Sequence, residues 1–470
     1  MSEHKSRTLP QQRLSRLAHL GSLAGRVAGA AAWEGARRLS KGEFPSTQHI
    51  LMTPANAVRL AETLATMRGA AMKLGQLLSL DAGEFLPTPL AQALEGLRAD
   101  AYHMPMLALN QVLEREWGED WQRHFRRFHF TPIASASIGQ VHRSTLTDGR
   151  EVAVKVQYPG VRQSIESDVK NLGTLIRLSG AVPKGVAIAP LLEELKLQLR
   201  QEADYQQELG FLTEYHHWLS EETALSAPTP VAELSTTDVL VMEYIDAMPV
   251  DMACHWSQPR RDALGASLLR LCLRELFELG IVQTDPNYAN YLIRETAQGD
   301  ELVLLDFGAA RRYGDNLKTA YRQLFSAVIA QDPQALMSAA QGIGYFAGEV
   351  EGSQKAAVLA LFSLACEPLT TPGAYDFGQS TLASRLQQKG RILSMQQGRW
   401  HTPPADALFL HRRLAGLYLL LGKLRARVDA GAILAEVLAN LPQNTAKALP
   451  VAVKNQDVAG IGTETEFPTG

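Results

Sequence analysis

Apolar residues recur along this chain with two periods, and the alternation of those periods predicts its elements. Between 56 and 80, Leu60, Leu64, Met67, Ala71, Leu74 and Leu78 return every third or fourth position, which predicts a helix with one apolar face. A second helix is predicted over 105–117. The rhythm then shortens. PIASASIGQVHRSTL and REVAVKVQYP flank Asp148-Gly149, a hairpin turn signal, and predict an antiparallel strand pair. Helical spacing returns over 161–178 and 190–219. VLVMEYI (239–245) is a continuous apolar run of strand length, and 260–280 predicts a helix with Leu264, Leu268, Leu271 and Leu279 inward. ELVLLDFG (301–308) predicts a strand ending in a turn, and 317–440 is mainly helical. Residues 44–55, with Pro45, Ser46, Thr47 and Pro54, have a linker's composition, and 441–470 carries too little core to be expected to order. No internal repeat emerges.

Composition narrows this picture. A chain of 470 residues with 46% hydrophobic and 20% charged content belongs to the soluble globular class. A net charge of −3 gives no global attraction to nucleic acid, and none is expected as a partner. Cys254, Cys272 and Cys366 are far apart, which argues against a disulfide framework or structural zinc and suits a reducing compartment. No uncharged apolar window reaches the ~18 residues that a membrane span needs. Charge is uneven only at the start. Lys5, Arg7, Arg13, Arg16, Arg26, Arg37, Arg38 and Lys41 face just Glu3 and Glu34, while Leu14, Leu17, Leu20, Ala24, Val27 and Ala31 fall at helical spacing. Residues 1–43 therefore predict a basic amphipathic helix that either lies on an anionic membrane surface or caps the globular part. Arg26 interrupts the apolar stretch, so it is not a secretory signal; a cleaved organellar transit segment is a further alternative.

Four short stretches carry chemistry. Phosphoryl transfer needs phosphates held, charge neutralised by Mg²⁺ and a nucleophile aligned. Lys155 in V-A-V-K lies late on a predicted strand, where an ammonium can reach α- and β-phosphates; alone, a strand-end lysine is ordinarily just solvated. VLVMEYI places Met242 at the end of a prospective adenine pocket, with the backbone of Glu243, Tyr244 and Ile245 beside an adenine edge. Asp285 and Asn290 in QTDPNYANYLI have the D-x₄-N spacing of a kinase catalytic loop, Asp facing the nucleophile and Asn holding Mg²⁺; alone, such a loop is an ordinary turn. Asp306 opens D-F-G after an apolar run and is the second metal ligand of this reading. A second D-F-G, at Asp376, has no strand signal before it and no catalytic loop shortly upstream, and is taken as structural. The order of the four stretches excludes coincidence better than any one of them. It implies an α+β, two-lobed protein-kinase-like fold binding ATP and Mg²⁺.

Two departures from ordinary kinases are specific. The phosphate loop, expected to be glycine-rich, reads Ala134-Ser135-Ala136-Ser137-Ile138-Gly139-Gln140-Val141. Alanine there restricts the backbone and its approach to phosphate. Far upstream, Lys73-Leu74-Gly75-Gln76 puts Lys73 and Gln76 on one helix face. Together these resemble the UbiB/ADCK family of atypical kinase-like proteins, linked to coenzyme Q (ubiquinone) biosynthesis, over about residues 13–440. The family's KxGQ motif is Lys73, Gly75 and Gln76, its Ala-rich loop is 134–137, and its ExD motif is Glu202-Ala203-Asp204, followed by Tyr205 and Glu208. VKVQYPGV, QTDPNYAN, YDFGQST and HRRLAGLYLLLGKL look most like the mitochondrial-type branch. Many bacterial members instead read HADPHPGN and end in transmembrane helices; here Gln283 stands in place of that His, without such a tail.

The resemblance implies that Glu208 pairs with Lys155 across an insertion, and that Glu202 or Asp204 pairs with Lys73, laying the KxGQ helix over the active-site mouth. It implies domains at 1–43 (basic segment), 56–125 (KxGQ extension), 126–245 (N-lobe with insertion) and 246–440 (helical C-lobe), with a tail over 441–470. The expected activity is an ATPase or small-molecule kinase supporting ubiquinone biosynthesis, cytoplasmic and peripheral on a bacterial inner membrane. Anionic lipid, quinone precursors and other biosynthetic proteins are its expected partners. A protein kinase acting in trans and a nucleotide-gated lipid-binding scaffold are the alternatives.

Overall fold

The computed structural model describes Lys73 and residues 104–179, 188–346, 350–395 and 404–441. The segment predicted over 1–43, the linker, Gln76, the rest of the helix around Lys73 and the tail beyond 441 lie outside the described residues.

Helix α1 (Met106–Trp117) starts after Pro105 and ends at Gly118, turning Leu109, Val112 and Leu113 inward. With Trp121 and Phe125 these pack on Val152, Val154, Val156, Val239 and Val241 of a small sheet. Its strands are β1 (Phe125–Phe128), β2 (Ala134–Ser135), β3 (Gly139–Leu146) and β4 (Glu151–Gln157). The hairpin turns at the predicted place. Gly149 adopts φ 96°, a left-handed conformation that suits glycine, and Asp148 Oδ1 accepts the Arg150 N–H at 2.9 Å. One face of β3 buries Gln140 and His142 as a bonded pair: Gln140 Oε1 accepts the Met104 N–H at 2.8 Å, and its amide nitrogen lies 2.8 Å from His142 Nε2.

Three helices follow β4: α2 (Val161–Ser179), α3 (Ile188–Glu202) and α4 (Tyr205–Trp218). The apolar spacing over 190–219 predicts one helix, and this is corrected to two. Asp204 leaves the helical backbone (φ −102°, ψ 81°) and its carboxylate caps α4 by accepting the Gln207 N–H. After β5 (Leu225–Ser226), β6 (Val239–Glu243) completes the antiparallel order β1-β3-β4-β6, with β2 on β3. Lys155 stands opposite Val141 on one side and Leu240 on the other.

The remainder is helical around a second, larger core. β7 (Met248–Pro249) leads to α5 (Gln258–Arg274), which ends in one π turn (Glu275–Leu279) and left-handed Gly280. β8 (Ile281–Gln283), β9 (Tyr291–Thr296), β10 (Gly299–Leu304) and β11 (Ala310–Arg312) follow. They form a β5-β10-β9-β7 sheet and a β8–β11 ribbon, which frame the predicted catalytic loop and metal turn. Then come α6 (Asp315–Ile329), α7 (Pro333–Ile343), α8 (Gly352–Ala365), the short α9 (Glu367–Thr370) and α10 (Leu382–Met395). α11 (Ala405–Leu424) and α12 (Ala430–Ala439) end the described chain. Between them a two-residue strand at Arg427–Val428 pairs with Tyr375–Asp376. No helix among the described residues is long and apolar enough to cross a membrane.

Candidate active site

Lys155 is held where its strand neighbours exclude water. Its Nζ donates to both oxygens of Glu208, at 2.8 and 3.0 Å. Glu208 is 1% exposed in the first turn of α4, the turn that Asp204 caps. Lys155 Nζ also lies 3.8 Å from Asp306 Oδ2 and 5.2 Å from the centre of the Tyr205 ring. Burial works against the ammonium, but the carboxylates of Asp306 and Glu208 outweigh it and carry its pKa well above the usual lysine value. Burial raises the Glu208 carboxyl, with Lys155 pulling the other way. For Asp306 burial is outweighed by Lys155, the Gly308 N–H and Lys73, so its carboxyl sits below the usual range and stays ionised.

The loop between β8 and β9 is shaped by its own side chains. Asp285 Oδ1 accepts the Asn287 N–H at 3.3 Å, and Asn287 Oδ1 accepts the Ala289 N–H at 3.1 Å. The Thr284 hydroxyl donates to Ala309 O at 2.7 Å, and the Leu305 N–H donates to Asn290 O at 3.0 Å. These two bonds tie the loop to both sides of the Asp306-Phe307-Gly308 turn, where Asp306 Oδ1 accepts the Gly308 N–H at 3.0 Å. Asn290 is buried, with its amide nitrogen unpartnered among the described atoms.

Lys73 reaches this cluster from outside. Its buried ammonium forms an ion pair with Glu202 and lies 3.5 Å from Asp285 Oδ2. Glu202 in turn accepts a hydrogen bond from the Ser137 hydroxyl. Of the two carboxylates the resemblance offered for Lys73, Glu202 takes the contact. Asp204 instead caps α4 and lies 3.9 Å from Arg162.

The Ala-rich loop pairs with β3, Ala134 opposite Val141 and Ser135 opposite Gln140, and the Ala136 N–H donates to Gly139 O at 2.9 Å. Ile138 is buried in the larger core. At the other end Met242 is buried and bridges to Pro230. The N–H groups of Glu243 and Tyr244 are engaged, donating to Thr229 O at 2.8 Å and Glu151 O at 3.0 Å. The Glu243 carboxylate accepts from the Thr229 hydroxyl at 2.9 Å. Ile245 is buried. Asp376 of the second D-F-G accepts from Gln379 N and pairs with Arg427, both at 3.1 Å, apart from this cluster.

The donor set fits a hard cation. Mg²⁺ uses one or two protein oxygens and completes its shell with phosphates and water. The Asp306 side chain keeps 38% exposure, and its Oδ2 stands outside hydrogen-bonding range of Lys155.

Residues 96–340, a little over half of the chain, match the sequence model described as the ABC1 atypical kinase-like domain. The chain belongs to the UbiB/ADCK (ABC1) family of atypical kinases. It is 39% identical over 430 residues to rat "Atypical kinase COQ8B, mitochondrial", covering 90% of this chain and 80% of that protein. It is 32% identical over 437 residues to "Atypical kinase COQ8, mitochondrial" of Saccharomyces cerevisiae, covering 93% and 86%. The solved complex of Rv3197 with erythromycin, from Mycobacterium tuberculosis, overlays with a TM-score of 0.54 at 25% identity, over 81% of this chain and 95% of that one. The fold is accordingly the α+β kinase-like fold of the family, and the similarity to the mitochondrial-type proteins is the one expected from the sequence.

Tyr205 and Gly308 are site neighbours that sequence reasoning missed. Tyr205 follows ExD and Gly308 closes D-F-G, but nothing local to either residue signals its contact. Tyr215, Glu275 and Arg413, which lie beneath the site, were also missed. The signal for Glu275 and Arg413 is a charge beside a run of leucines, as in HRRLAGLYLLLGKL; Tyr215 has none.

Proposed function

We propose that this chain is a UbiB-like ATPase or small-molecule kinase that binds ATP and Mg²⁺ between its lobes and supports ubiquinone biosynthesis at a membrane surface. Lys155, steadied by Glu208, contacts phosphate. Asn290 and Asp306 hold Mg²⁺, which supplies charge neutralisation on the phosphates when bound. Asp285 orients the nucleophile. Ala134, Ser135, Ala136, Ser137, Ile138 and Val141 cover the phosphates, and Met242 closes the adenine pocket. With the Glu243 and Tyr244 N–H groups engaged, the donor to an adenine edge is the Ile245 N–H, and backbone carbonyls of the 243–245 stretch accept from its amino group. The ubiquinone assignment rests on the resemblance to the COQ8-type relatives, and membrane association on the basic segment over 1–43.

One observation carries the choice of acceptor: the Lys73 ammonium pairs with Glu202 and lies 3.5 Å from Asp285 Oδ2, so it occupies space beside the residue that would orient the nucleophile. A peptide strand cannot enter beside Asp285 while that clasp is closed. Water or a small, membrane-borne phenolic quinone precursor can.

The test is phosphate release from Mg-ATP by the purified chain, with and without anionic liposomes and a phenolic precursor. Release that rises with liposomes, and is lost in Asp285→Asn while nucleotide binding persists, is the expected outcome. Labelled phosphate appearing on an added protein would favour a protein kinase. Nucleotide-dependent stabilisation with no turnover in any condition would favour a scaffold.

A further inference from the structure

Beneath the catalytic loop lies a buried charge network that the roles above do not use. Arg413 of α11 and Glu275 of the π turn are 2% and 0% exposed. They pair at 3.2 Å through Arg413 Nη2 and Glu275 Oε2. The other Glu275 oxygen accepts from the Tyr215 hydroxyl at 2.8 Å and from the Gln283 N–H at 3.4 Å. The Tyr215 oxygen is also 3.0 Å from Ile281 O. Two of the partners, Tyr215 and Gln283, belong to elements that carry or lead into site residues. Tyr215 follows Glu208 by two turns on the same face of α4. Its ring lies 4.7 Å from that of Phe307, beside Asp306. Gln283 ends the strand that delivers Asp285. One turn beyond Arg413, Gly416 lets α11 close on the loop itself: a Cβ there would stand 2.3 Å from that of Pro286.

A buried ion pair contributes little net stability compared with apolar residues of the same volume, so stability does not account for this one. What it does impose is geometry. A carboxylate with fixed partners on three elements allows only one arrangement of them.

We propose that Arg413 is a positioning residue for nucleotide binding. By fixing the Glu275 carboxylate it locks Tyr215 and Gln283 together, and so keeps Glu208, Asp306 and Asp285 in one register. This rests on the nucleotide-binding reading of the site.

The test uses the full chain, Mg-ADP titration, ligand-free melting, and hydrogen exchange over 205–218. Tyr215→Phe removes only the hydroxyl and keeps the ring on Phe307. The pair Glu275→Gln with Arg413→Met removes both charges together, avoiding the unpaired carboxylate that Arg413→Met alone would leave. Both variants are expected to fold, to bind Mg-ADP about tenfold more weakly, and to lose the exchange protection that Mg-ADP gives α4 in the unaltered chain. Undiminished affinity, with or without a lowered melting temperature, would overturn the proposal, since it would leave the network a packing role only. Asp306→Asn separates the two levels. Wild-type Mg-ADP binding that this change abolishes upholds the nucleotide site whatever the Tyr215 and Arg413 variants do. Absence of Mg-ADP binding in the wild type sinks the nucleotide site and this proposal together.

Discussion

Lys73 places one buried ammonium against two carboxylates of the site, Glu202 and Asp285. Burial works against its charge, but Asp285 and Glu202 outweigh that and hold its pKa above the ordinary lysine value, so it is an ammonium at neutral pH. Replacing it leaves Glu202 and Asp285 facing each other's surroundings without their cation. Lys73→Ala is expected to cost about 3 kcal/mol of stability, measured by urea unfolding, and to admit larger phosphoryl acceptors, measured as label transfer to added protein. Stability loss with unchanged acceptor range would mean that the Lys73 clasp does not restrict the acceptor. The pairing of Lys155 with Glu208 belongs to the same scale and was not legible from spacing. The two stand 53 residues apart, and only the resemblance to a known family proposed the contact that the geometry contains. The chemical types were visible, because lysine after a V-A-V strand and Asp before Phe-Gly are local patterns. Which carboxylate met which cation was not.

The element scale turns on the break between α3 and α4. Apolar spacing runs through it without interruption, which is why periodicity predicts one helix. A second signal was present: Asp204 followed three residues later by Gln207 is the pattern of a capped N-terminus. The break lets α3 present Glu202 to Lys73 and α4 present Glu208 to Lys155. Asp204→Ala is expected to cost about 1 kcal/mol through the lost cap and to weaken Mg-nucleotide binding by loosening the turn that carries Glu208. Thermal melting and nucleotide titration on the same preparation measure both. A stability loss with unaltered affinity would mean that the Lys155 ion pair alone seats Glu208. The β3–β4 hairpin was fully legible, since Asp148-Gly149 between two alternating runs admits one local solution.

At the scale of the whole molecule, α11 lies beyond the segment matched by the family's domain model yet contacts elements far apart along the chain. Its Arg412 pairs with Glu194 on α3 and its Arg413 with Glu275. Its His411 packs 3.0 Å from the Tyr321 hydroxyl and stacks on Tyr345. This packing removes the imidazole from water and pushes its pKa down to about 4. The folded state therefore stays unprotonated there while the unfolded chain takes up a proton below its ordinary value of 6.5. Stability from this group is full above about pH 6.5 and is lost as pH falls toward 4, by up to roughly 3 kcal/mol. His411→Phe is expected to flatten that acid limb in denaturant unfolding across the interval. An unchanged limb would assign acid sensitivity to other groups.

The sequence by itself determined the order of the main elements, the hairpin turn and the identity of the chemical groups, because each depends on neighbours within a turn or two of the chain. It also carried the family, through motifs whose combination is specific. Only the tertiary structure decided that Lys73 meets Glu202 rather than Asp204, that the Glu243 and Tyr244 N–H groups are engaged, and that Arg413 reaches Glu275. Those contacts join residues far apart along the chain. No local rule selects among the charges available to each, so packing must bring the partners together before the electrostatics can choose.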